Sequence, residues 1–159
     1  MKPEFICANH REWLRGHPVE AYNWWEKSLD AGKYHQEMHQ WNESIRPLGC
    51  AFDAAAIIIE HANFVESNAI DRLSIAAQCL IYSLLKVGQH NFAHQIVGGV
   101  QVLVNSLDKR ALDRPNILDM QRKLHLCLAT SSTVMKERSE NKIVDIRKYA
   151  SNDNVVSIH

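Results

Sequence analysis

The sequence predicts an all-α protein, a compact bundle of about five to seven helices arranged as consecutive antiparallel hairpins. Apolar residues recur at spacings of three and four through one segment after another, which places them on one face of a helix. Proline, glycine and capping residues fall at the edges of those segments, where they start or stop helices. Only a few residues separate consecutive segments, a length that favours antiparallel neighbours over crossovers, and no series of strand-like runs divided by turns interrupts them.

The first helix is expected to open at His17-Pro18, because proline at the first helical position loses no hydrogen bond, with Tyr22, Trp25 and Leu29 as its stripe and Gly32 as its end. Tyr34, Met38, Trp41 and Ile45 then share one face of a second helix that Pro47 should stop. From Leu48 to about Glu66 the chain is apolar nearly all round, so the third helix should be central, with Asp53 and Glu60 as its most buried acids. Asn68, with Asp71 three positions on, caps a fourth helix through Leu73, Ala77, Leu80, Leu84 and Val87 that Gly88 closes. A fifth carries Phe92, Ile96, Val100, Leu103 and Leu107, with Gly98-Gly99 in its middle where a close helix contact is expected. Asp113, Arg114 and Pro115 start a sixth, with Ile117, Met120, Leu124, Cys127 and Val134 inward. The pattern fades near Glu140, which gives one helical domain over 1–140 and a tail over 141–159 that is partly flexible or ordered by a partner.

The chain has 159 residues, 46% hydrophobic and 23% charged, enough for one globular core. Lysine plus arginine (18) balances aspartate plus glutamate (18), so no long-range field draws in nucleic acid or an anionic membrane, and broad nucleic-acid binding is not expected. No secretory leader and no apolar run of membrane-spanning length is read from the sequence, which points to a cytoplasmic protein. Cys7, Cys50, Cys79 and Cys127 are widely spaced and suit reduced, buried thiols.

Gly88, Ala93 and the apolar residues around them in LIYSLLKVGQHNFAHQIVGGVQVLV resemble the turn and second helix of a tetratricopeptide-type hairpin, and Gly32 with Tyr34 in LDAGKYHQEMHQW resembles the same turn. The resemblance implies a scaffold that binds another protein or peptide without catalysis.

All four tryptophans, Trp13, Trp24, Trp25 and Trp41, lie in the first quarter of the chain. Trp24 points about 100° away from the stripe that holds Trp25 and needs a second surface to cover it, either a neighbouring helix or a partner. Trp24, Tyr34 and Trp41 are therefore the expected partner-binding residues. The nine histidines supply the alternative. His35 with His39 and His90 with His94 are each four apart, the spacing at which two imidazoles on a helix meet one metal, with Glu60 and His61 as further donors. Cys7 with His10, and His125 with Cys127, are weaker candidates of the same kind. HQEMH is not the HExxH of zinc proteases, since its acid is one position late. No phosphate loop, dinucleotide fingerprint or nucleophile elbow is present in the sequence. The expected function is a protein-interaction or regulatory adaptor, non-catalytic and without a cofactor, able to form a homodimer. The alternative is a metal-binding helical bundle, sensor or metal-dependent enzyme, holding a transition metal such as zinc through an HxxxH pair.

Overall fold

In the computed structural model, which describes residues 4–61, 67–107 and 115–130, regular structure is helical throughout the described residues. The elements are α1 (Ala8–Gly16), α2 (Pro18–Glu37), α3 (Trp41–His61), α4 (Ser67–Lys86), α5 (His90–Ser106) and α6 (115–130). The all-α expectation is met. The expectations for Val134 and for 141–159 fall outside the described residues.

Helix α1 has no counterpart in the sequence reading. Its only buried residues are Arg11 and Leu14, so a short helix with one apolar anchor offers no period to detect. Pro18 opens α2 as expected, but Gly32 does not end it. Gly32 is buried within the helix, and a Cβ there would overlap the Leu48 side chain, so the glycine serves close approach of α3 and is not a cap.

The true end lies seven residues on, at His39, which is left-handed with φ 58°. The His39 N–H donates to the Gln36 carbonyl at 3.0 Å and the Gln40 N–H to the His35 carbonyl at 2.8 Å. That is the Schellman pattern, with histidine in the place glycine usually takes. The α4–α5 turn repeats it with glycine. Gly88 has φ 79°, its N–H donates to Leu85 at 3.1 Å, and the Gln89 N–H donates to Leu84 at 2.8 Å. In both turns the glutamine carbonyl then receives the first bond of the next helix, from Ser44 and from Ala93.

Two further expectations are corrected. Pro47 lies inside α3. A proline forfeits the bond to the carbonyl four residues back, here that of Glu43, and its ring crowds that carbonyl; Glu43 lies in the first turn of α3 and is an exposed residue. Gly98 and Gly99 have nothing within 4 Å of a built Cβ among the described residues, so they mark no helix contact. The close approaches are at Gly32 and at Gly49, where a Cβ would strike the Phe5 ring. Asn68 lies one residue inside α4, which starts at Ser67.

Helix α3 is the central element. It packs against α1, α2 and α4, and α5 packs on α4. Leu48, Phe52 and Ile59 of α3 join Leu73, Leu80 and Leu84 of α4, Ile96 and Val100 of α5, and Met120 and Leu124 of α6 in one buried cluster. These residues belong to one unit, Met1–Leu128; nearly all of a second unit, Ala129–His159, falls outside the described residues. No described helix is long and apolar enough to cross a membrane.

Polar contacts lock two ends of this packing. Asp53 is fully buried, and its Oδ2 accepts the N–H groups of Phe5 at 2.7 Å and Ile6 at 2.9 Å and the Arg11 guanidinium at 3.1 Å. Near the start of α3, the buried hydroxyls of Ser44 and Ser83 hydrogen-bond at 2.7 Å. The Gln36 side-chain amide donates to Ser83 at 2.8 Å and to the Cys79 carbonyl at 2.9 Å, which ties α2, α3 and α4 together.

Removing one partner of a buried ion pair leaves the other uncompensated, so Asp53→Ala is expected to lower the unfolding free energy by about 3–5 kcal/mol in urea titrations. The Asp53→Ala, Arg11→Ala double variant should cost clearly less than the sum of the two single changes; additive losses would show that the two side chains do not act as a pair. At His39 glycine relieves roughly 1–2 kcal/mol of left-handed strain and adds roughly 0.5–1 kcal/mol of unfolded-state entropy. His39→Gly is therefore expected to stabilise the chain by about 0.5–1 kcal/mol, and an unchanged urea midpoint would contradict it.

Candidate functional site

Among the described residues, a concavity lies on the outer face of the α2–α3 hairpin. Trp24, Ser28 and Ala31, at spacings of four and three, line up along α2 with Lys27 beside them, and Arg46, Pro47 and Cys50 face them from α3. Where Gly32 admits Leu48, the two helices touch. Towards the start of α2, the small side chains of Ser28 and Ala31 do not fill the space to Pro47, and a cleft of about 430 Å³ opens.

Trp24 forms one end of the cleft and is held from behind. Its ring lies 4.7 Å from that of His10 on α1, and it packs on a satellite core of Ile6, Leu14, Ala21, Ala54 and Ile57. Its indole nitrogen is enclosed with no hydrogen-bond acceptor among the described residues. The ring therefore contributes contact area more than a polar handle.

Lys27 and Arg46 stand on opposite walls, both exposed. Neither has an ion-pair partner among the described residues, where the paired cations are Arg11, Arg15, Arg122 and Lys123. Cys50 completes the lining. Burial pushes its thiol upward, the Asp53 carboxylate adds to that, and Arg46 acts in the opposite direction. The Cys50 thiol donates to the Phe5 carbonyl at 3.8 Å. A thiol kept protonated is a contact surface and a poor nucleophile. The cleft can hold an apolar side chain between Trp24, Ala31 and Pro47 and a negative charge on either wall.

The other two expected interface residues lie elsewhere. Trp41 meets Tyr82 edge-on at 5.4 Å and His39 at 5.5 Å, and the Lys86 ammonium sits 5.5 Å from the Trp41 ring and 5.2 Å from that of Tyr82. Tyr34 is 58% exposed on α2, with His35 as its ring neighbour at 5.8 Å. No ring contact among the described residues joins Trp24 to either of them.

Of the candidate metal donors, His35 lies in the last turn of α2 and its Nδ1 is hydrogen-bonded to Gln40 Oε1 at 2.7 Å. His39 lies beyond the helix end, its Nδ1 donating to the Glu37 carbonyl at 3.1 Å, so the spacing of four does not put the two rings on one helical face. Glu60 and His61 end α3 and are exposed, which corrects the expectation that Glu60 is buried; the apolar stretch that suggested it runs out one residue earlier, at Ile59. His61 Nδ1 pairs with the Ile57 carbonyl at 3.2 Å. His90 opens α5 half-buried and His94 is exposed one turn on. Among the described residues no three or more histidine, cysteine, aspartate or glutamate side chains come together as metal donors.

Sequence reasoning missed Lys27, Arg46, Pro47 and Cys50. The available signal was the run of Ser28 and Ala31 behind Trp24, small residues where a buried face would carry large ones. No protein-family model matches the chain, and no curated protein or solved structure matches it.

Burial also pushes the Cys79 and Cys127 thiols upward, while Cys7 is exposed. Iodoacetamide at neutral pH should therefore alkylate Cys7 first. Because the folded values of the other three are raised, their thiols stay protonated in the folded chain while unfolded thiols ionise. Their contribution to stability is fully present below the ordinary thiol range and is lost as pH rises from that range through their raised folded values. Peptide mass spectrometry showing Cys50 labelled as fast as Cys7 would contradict this assignment.

Proposed function

We propose that the protein is a non-catalytic interaction adaptor of the cytoplasm, which docks a segment of another protein in the α2–α3 cleft. The observation that carries the reading is Trp24, half-buried, fixed from behind by α1 and presenting its ring to an open cleft between two helices. Aromatic anchors of this kind dominate docking energetics because they supply large contact area with few rotors to immobilise. The resemblance of the Gly88 turn and α5 to a tetratricopeptide-type hairpin points the same way, and four cysteines that form no disulfide among the described residues fit a reducing compartment.

Two variants test the cleft from opposite directions. Trp24→Ala removes the anchor, and Ala31→Trp fills the cleft at an exposed position without truncating the core. A protein captured by the wild-type chain and identified by mass spectrometry should bind each variant at least about 30-fold more weakly, the loss of a hot-spot residue worth about 2 kcal/mol. Circular dichroism should show the Ala31→Trp chain as helical as the wild type. Full retention of the captured protein by Ala31→Trp would sink the assignment.

A further inference from the structure

Resting on the reading that the α2–α3 cleft docks a protein segment, we propose that this segment is acidic. It would seat an apolar side chain between Trp24, Ala31 and Pro47 and pair aspartate or glutamate with Lys27 on one wall and Arg46 on the other.

Charge complementarity carries the argument. The only charged residues lining the cleft are Lys27 and Arg46, one from each helix, so an anion on either flank of the seated side chain meets a cation. Neither cation is neutralised by another group among the described residues. The excess is local, because the whole chain carries 18 basic and 18 acidic residues. A generally basic surface would attract any polyanion, whereas two cations bracketing an apolar slot select a carboxylate placed beside an apolar residue. Arg46 adds geometric selectivity, since its guanidinium fork matches a carboxylate with two parallel bonds, and Lys27 adds a mobile point charge. The walls beneath them are apolar and lower the local dielectric, so such pairs count for more here than on open surface. The other cationic aromatic clusters offer no such opening, because Lys86 already lies over Trp41 and Tyr82 and Arg72 over Tyr22 and Trp25.

A phage-displayed library of random dodecapeptides, selected on the full chain and counter-selected on Ala31→Trp, reads the specificity directly. Enriched peptides should place aspartate or glutamate within one helical turn of leucine, phenylalanine or tryptophan. A synthetic peptide of that consensus should bind at least about tenfold more weakly to the Lys27→Glu, Arg46→Glu double variant, and its affinity should fall as salt rises. Both substitutions are at exposed positions, and circular dichroism checks the fold. Selection repeated on the double variant should return peptides rich in lysine and arginine. Peptides that depend on the open cleft but are neutral or basic, and indifferent to charge reversal, would overturn the acidic rule and leave docking standing. A selection from which no binding peptide survives the Ala31→Trp counter-selection would overturn both.

Discussion

A carboxylate in the middle of the central helix, α3, sets the terms for the rest of the fold. Taking an ionised aspartate out of water costs several kcal/mol unless the charge is paired and hydrogen-bonded. Asp53 meets that demand with groups that α3 cannot supply, two backbone N–H donors from residues 5 and 6 and the guanidinium of Arg11. The N-terminal segment is thereby bound to α3, with the Phe5 ring over Gly49 and beside Phe92 of α5, and α1 follows because Arg11 projects from it. Without that demand, a nine-residue helix with only Arg11 and Leu14 buried would have little to hold it. Leu14 and Ile6 then build the satellite core against which Trp24 rests. The anchoring of the cleft thus traces back to one buried acid.

The α2–α3 pair is held closely on the other side of the cleft as well. Gly32 lets Leu48 enter, and the Gln36, Ser44 and Ser83 network joins α2 and α3 to α4 near their shared turn. A fully satisfied polar cluster fixes register, because sliding either helix would strand buried donors. Between this closure and the Trp24 end, where Arg72 of α4 stacks on Tyr22 and bonds its hydroxyl at 3.3 Å, the hairpin cannot collapse onto its small residues. The space over Ser28 and Ala31 therefore persists.

Much of the architecture was legible in the sequence. Periodicity alone located α4, α5 and α6, because their apolar stripes are regular and Gly88 marks the α4–α5 turn with the residue the left-handed conformation favours. The α2–α3 turn was misread because its chemistry is inverted. The left-handed position is filled by His39, while the nearby glycine, Gly32, serves packing inside a helix. That displacement carried Tyr34, Met38 and Trp41 onto one imagined face, when Met38 belongs to the turn and Trp41 opens the next helix. Asp53 was legible as buried from its apolar surroundings, but its partners were not, since they are more than 40 residues away. Trp24 was legible as a side chain needing a second surface. The cations beside it were not, because Lys27 and Arg46 become neighbours only when α2 and α3 are laid side by side.

The histidine turn and the cleft also differ in what they ask of the chain. His39 holds a strained backbone to make a tight corner, and its ring gains Trp41 as a neighbour. Trp24 is held without such strain, since it sits inside a regular helix with one face against His10 and the satellite core. A side chain fixed in this way has already given up its rotamer freedom during folding. An incoming segment would then meet a surface that needs little ordering, and the entropy it must supply would be largely its own. A larger residue at Ser28 or Ala31 would bury the outer face of Trp24 and add apolar contact to the fold. The sequence instead keeps both positions small and leaves that contact for a second chain to complete.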